Sequence, residues 1–99
     1  MTQPTQTAGE DSYATNMTDL VTEIARALVD SPESVSVEEI QEAEGTILRL
    51  RVAASDIGKV IGKQGRTARS LRTILAAASM KLRHRFSLDI VEEDQPPNG

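Results

Sequence analysis

The chain of 99 residues contains no cysteine and no tryptophan, and has one histidine (His84), one phenylalanine (Phe86) and one tyrosine (Tyr13). Without cysteine, neither a disulfide nor a thiolate metal site can form. A lone histidine cannot complete a nitrogen ligand set. The carboxylates Glu38, Glu39, Glu42 and Glu44 are spread as on a solvated surface. No metal or other cofactor is therefore expected, and no set of residues supports catalysis. His84 lies among basic residues near an expected helix end and reads as a partner for the helix dipole. No apolar run approaches the ~20 residues of a membrane span. The first 16 residues lack the positive and apolar regions of a signal peptide, so no membrane partner is expected and the cytoplasm is the expected compartment.

Aromatic scarcity also argues against a surface that grips single strands by stacking bases on rings. The net charge of −4 gives little sign of a polyanionic partner, but its distribution does. Residues 1–45 hold Arg26 against ten carboxylates, a net of −9. Residues 46–91 hold ten cations against Asp56 and Asp89, a net of +8. A basic half of this kind suits a phosphate-bearing ligand.

A chain this short holds one domain. Residues 1–16 are rich in Thr, Gln, Ser, Gly and Ala and are expected to be disordered, because they offer too little apolar surface to offset chain entropy. Residues 92–99, with Pro96, Pro97 and Gly99, read as a loose acidic tail. Leu20, Val21, Ile24, Ala25, Leu28 and Val29 share one helical face, predicting a helix over 18–30 with Thr18 as its N-cap and Pro32 beyond its end. Val35 and Val37 alternate as in a strand, and the phase break at Glu38-Glu39 before Ile40 predicts a bulge. After a turn at Glu44-Gly45, Leu48, Leu50 and Val52 alternate with Arg49 and Arg51 in a second strand. Ser55 or Asp56 is expected to cap a short helix ending at Gly62. A longer helix follows over 66–83, with Leu71, Leu75, Ala78 and Leu82 toward a core and Arg66, Arg69 and Arg72 on one face. Phe86, Leu88 and Ile90 alternate in a closing strand.

The most informative stretch is Asp56-Ile57-Gly58-Lys59-Val60-Ile61-Gly62-Lys63-Gln64-Gly65-Arg66. Gly62 and Gly65 bracket the polar pair Lys63-Gln64, and the helix beginning near Arg66 would aim its free N–H groups at that loop. Glycines for close approach, Lys63 for charge and backbone N–H donors together make a phosphate site. A nucleotide-triphosphate loop does not fit. Three residues separate Gly58 from Gly62 where four are required, and Gln64 stands where a hydroxyl should hold Mg²⁺.

Val60-Ile61-Gly62-Lys63-Gln64-Gly65, with Ile57 and Gly58 upstream, resembles the signature of the KH domain. Residues 17–91 as a whole resemble the small stand-alone bacterial KH proteins of the KhpA-like family. The resemblance implies an α+β fold of type II, in the order α-β-β-α-α-β, with helices packed on one face of a three-stranded sheet. It also implies a GxxG loop that clamps about four nucleotides of single-stranded RNA. On this reading Gly62, Lys63, Gln64 and Gly65 form the clamp, and Lys59 and Arg66 flank the RNA backbone. Arg69 reaches the backbone one turn on, and Ile57 and Ile61 line the groove for the bases. Ala68 replaces the usual aliphatic residue three positions after the second glycine, where a slightly shallower groove is expected. The family further implies a non-enzymatic RNA regulator or chaperone linked to cell elongation and division. Such proteins self-associate or pair with a larger, KhpB-like KH protein. Two alternatives stay open at this point: a protein-interaction module using the loop as a dimer contact, and a binder of single-stranded DNA.

Overall fold

The computed structural model describes residues 10–92, with side chains from Thr15 onward. The expected disorder of residues 1–9 and looseness of residues 93–99 fall outside that range. Seven of its elements fix the architecture: α1 (Glu10–Leu28), a 3₁₀ turn (Pro32–Ser34), β1 (Ser36–Glu42), β2 (Gly45–Val52), α2 (Ile57–Ile61), α3 (Arg66–Leu82) and β3 (Arg85–Glu92). The order α-β-β-α-α-β is the one the KH resemblance implies. The sheet runs β1-β2-β3, with β1 antiparallel and β3 parallel to the central β2. A parallel pair needs a long crossover, and α2, the glycine loop and α3 supply it.

Strand β2 organises the core. Thr46, Leu48, Leu50 and Val52 are buried while Ile47, Arg49 and Arg51 are half-exposed, the period-two alternation of a sheet covered on one face. Against the covered face pack Val21 and Ala25 of α1, Val60 of α2, Leu71 and Leu75 of α3, and Phe86 and Leu88 of β3. Gly45 lets β3 start close beside β2: a Cβ there would meet the Arg85 backbone, its carbonyl carbon at 2.8 Å.

Three expectations are corrected. First, α1 begins at Glu10, so residues 10–16 are helical rather than disordered. Extending an existing helix costs only propagation, not nucleation, and no glycine or proline interrupts the run from Glu10 to Leu28. Thr18 is consequently inside the helix, where its hydroxyl donates to Glu39 of β1 at 2.6 Å instead of capping. Second, β1 carries no bulge, since its pairing is one-to-one from Ser36↔Arg51 to Glu42↔Gly45. Val37 packs against the core, and Ile40, three residues on, takes the opposite face. An edge strand that buries little tolerates apolar groups on both faces. Third, Asp56 caps no helix with its side chain, for the reason given next.

Candidate nucleic-acid interface

Helix α2 has only five residues, too few to be stable alone, so tertiary contacts must fix it. Val60 is buried on one side, and Asp56 anchors the start. The Asp56 carboxylate, 1 % exposed, accepts hydrogen bonds from the backbone N–H groups of Asp30 (3.2 Å) and Ser31 (3.0 Å). Lys59 places its ammonium 3.6 Å from Asp56 and 3.4 Å from Asp30. Burial opposes ionisation of Asp56, yet the two N–H donors and the Lys59 ammonium outweigh it and hold the carboxyl below the usual carboxylate range. The end of α1 is thereby tied to the helix that leads into the glycine loop.

The loop itself is held in backbone regions that most residues avoid. Gly62 has φ 81° and ψ 169°, and a Cβ there would run into Thr67, whose backbone nitrogen would lie 2.8 Å away. Gln64 (φ 57°, ψ 27°) and Gly65 (φ 74°, ψ 13°) follow in the left-handed region. A left-handed Gln costs of order 1 kcal/mol and persists only where the surroundings impose it. Here it is joined by a bond from the Arg66 guanidinium to the Gln64 side-chain carbonyl at 2.9 Å. A Cβ on Gly65 would meet nothing within 4 Å, so this glycine opens onto free space rather than onto the protein. Lys63, Gln64 and Arg66 are exposed. The N-terminus of the 17-residue α3 directs its unpaired N–H groups toward them.

From the loop a groove runs along α3. Ile61, Gly65, Ala68 and Arg69 line its upper part, continued by Arg72, Thr73 and Ala76. Leu75, Ser79, Met80, Phe86 and Leu88 line the lower part, between α3 and the free edge of β3. No carboxylate is among the lining residues of either part. Ala68 is buried in the floor.

The structure thus brings Ile61, Gly65 and Arg69 to the groove and Gly62, Lys63, Gln64 and Arg66 to its mouth. Ile57 and Lys59 are placed otherwise: Ile57 packs against the core, and Lys59 is committed to Asp30 and Asp56. Arg49 and Arg51 lie on the uncovered sheet face, paired with Asp89 (3.1 Å) and Glu38 (3.8 Å). The short run Ala76-Ala77-Ala78-Ser79 is divided between two tasks. Ala76 lines the groove, while the Ser79 hydroxyl accepts from the Phe86 N–H at 2.8 Å. His84 points its Nε2 at the buried Thr46 hydroxyl (2.9 Å), a packing role beside Phe86 rather than a place in the groove. Sequence reading missed Arg72, whose guanidinium donates to the Leu88 carbonyl at 3.2 Å. Its place in the arginine row at every third residue was the available signal.

No helix among the described residues is long and apolar enough to cross a membrane. In solved structures the fold resembles Era crystallised with MgGDPNP and nucleotides 1506–1542 of 16S ribosomal RNA, with a TM-score of 0.54 at 15 % identity. The match covers 92 % of this chain and 36 % of that one. Among curated proteins, RNA-binding protein KhpA of Caldanaerobacter subterraneus subsp. tengcongensis is 48 % identical over 75 residues, which is 76 % of this chain and all of that protein. The protein of the same name from Treponema pallidum is 49 % identical over 74 residues, 75 % of this chain and 92 % of that one. That from Aquifex aeolicus is 47 % identical over 74 residues, 75 % of this chain and 94 % of its own length. The family model described as "KhpA/KhpB, KH domain" matches residues 18–90, which span α1 from Thr18 through nearly all of β3. With an α+β fold of type II and this match over most of its length, the chain belongs to the KhpA/KhpB family of KH domains.

Proposed function

We propose that the protein is a non-catalytic binder of single-stranded RNA, which it holds in the groove between α3 and β3 with the Gly62–Gly65 loop clamping the backbone. The observation that carries this reading is the loop's geometry. Three positive-φ positions within four residues leave Gly65 open to space at the mouth of a groove lined by arginines and by no carboxylate. Phosphates can approach the backbone at Gly65, take N–H bonds from the start of α3 and meet the charges of Lys63, Arg66 and Arg69. Bases then lie over Ile61 and Ala68, where apolar contact replaces the stacking that absent aromatics cannot give. The relatives' names, RNA-binding protein KhpA, agree with this ligand class.

A single such groove binds weakly, and two copies acting together raise avidity through effective concentration. We therefore extend the proposal to a dimer, of this chain with itself or with a larger KhpB-like KH protein, acting as an RNA regulator or chaperone in the cytoplasm in connection with cell elongation and division. Leu20, Leu28 and Ile74 are exposed apolar side chains, outside the groove lining, available for such contacts.

Binding of a labelled short RNA, followed by fluorescence anisotropy across a salt series, tests the reading. Three or four neutralised phosphates give a slope of log K against log salt of roughly −2 to −3, at ~0.7 per contact for single strands. A flat dependence would favour a protein-contact role for the loop. The matching DNA strand, run beside it, shows whether the 2′-hydroxyl matters.

A further inference from the structure

Arg72 stands in the middle of the groove. With Ala76 it lines both the upper part, near the glycine loop, and the lower part against β3, where Arg85 is the other arginine. Its Nη2 donates to the Leu88 carbonyl, on the edge of β3 that has no neighbouring strand. That bond fixes the guanidinium in place yet uses only one of its five N–H groups. Arg49, Arg51, Lys59 and Arg85 are each ion-paired, whereas among the described residues no carboxylate lies within 4.0 Å of Arg72. Phe86 is the one aromatic side chain lining the groove among those residues, and it is 4 % exposed. The planar group available to a base in mid-groove is therefore a guanidinium.

We propose that Arg72 is the base-reading residue of this groove and selects a base edge that carries two neighbouring acceptors. A guanidinium has donors only, and its planar fork matches such a pair bidentately. Guanine offers O6 beside N7, and cytosine offers O2 beside N3. Adenine sets its amino group beside N1 and N7 and a C–H beside N3, and uracil places N3–H between its two carbonyls, so neither completes the fork. The bond to Leu88 holds the fork in register before the ligand arrives, which lowers the entropy lost on contact. This inference rests on the RNA reading above.

The test uses the full chain and uridine-rich RNAs that differ only in one central base. Wild type should bind the guanine- and cytosine-containing strands about tenfold more tightly than the adenine-containing or all-uridine strands, within the range of one bidentate contact. Replacing guanine by 7-deazaguanine, which lacks N7, should abolish the guanine advantage. Arg72→Lys keeps the charge but not the fork, and should bind all four strands within about twofold while keeping the wild-type thermal midpoint. If that variant does not fold, the wild-type series with 7-deazaguanine decides alone. Equal binding of all strands by wild type overturns the inference and leaves the RNA reading standing, as does a preference that survives in folded Arg72→Lys. Failure of wild type to bind any of the strands removes both.

Discussion

The glycines of the loop are separable by a pair of alanine substitutions. Gly62→Ala meets two obstacles. Its φ of 81° and ψ of 169° belong to a region in which a side chain costs about 1–3 kcal/mol. Its Cβ would also overlap Thr67, in the first turn of α3, where the backbone nitrogen at 2.8 Å cannot retreat without unseating the helix start. Overpacking of that kind costs roughly another 1–3 kcal/mol. Together about 3 kcal/mol is expected, and at roughly 4–8 °C per kcal/mol for a domain of this size the thermal midpoint should fall by about 12–24 °C. Gly65→Ala meets only the left-handed φ of 74°, with open space where its Cβ would go. About 1 kcal/mol, or roughly 4–8 °C, is expected for it. Thermal melts by circular dichroism measure both. RNA affinity should invert the order: among molecules that remain folded, Gly65→Ala should lose more, because its methyl projects into the mouth of the groove. Equal destabilisation by the two substitutions, or a larger effect at Gly65, would refute the assignment of Gly62 to steric fit and Gly65 to ligand access.

Asp56→Asn tests the tie between α1 and α2. Because the folded carboxyl is held below its ordinary value of 3.8, its contribution is present above that pH and is lost as pH falls through the folded value. Urea midpoints should show the variant less stable than wild type at about pH 7, with the gap closing as pH falls below 3.8; a gap independent of pH would argue against the charge. Replacing Arg49 and Arg51 together by alanine should change RNA affinity by less than about twofold and stability by about 1 kcal/mol or less, since both sit in partly exposed ion pairs on the uncovered sheet face. A tenfold affinity loss measured by anisotropy would place the ligand on that face.

The elements with strong periodicity were legible from the residues themselves. Leu71, Leu75 and Leu82 gave α3 its face, and the alternation from Leu48 to Val52 and from Phe86 to Ile90 placed the central strand β2 and the edge strand β3. The backbone of the loop was legible too, because Gly62 and Gly65 stand at positive φ, where only glycine tolerates the backbone at little cost. What stayed hidden depends on contacts distant in sequence. Asp56 reads locally as a cap, but its acceptors serve Asp30 and Ser31, some 25 residues earlier. Lys59 reads as a free cation beside a phosphate site until those carboxylates arrive beside it. Ile57 could face a groove or a core, and periodicity in a five-residue helix cannot separate the two. Arg72 belongs to a visible arginine row, but only the return of β3 gives it a carbonyl to hold. The start of α1 is not legible from residues 10–16 alone, because they are helical as the extension of a helix formed by the residues that follow.

Replacing Lys63 and Gln64 together by aspartate tests the clamp most directly. Two carboxylates would face the phosphates at the N-terminus of α3, turning attraction into repulsion. The fold should tolerate them. Both positions are exposed, acidic groups are favoured near a helix start, and aspartate accepts the left-handed conformation of residue 64 (φ 57°) more readily than glutamine does. With the circular dichroism spectrum unchanged, RNA affinity measured by anisotropy should fall at least about tenfold, roughly 1.4 kcal/mol. Wild-type affinity in a folded double variant would contradict the account.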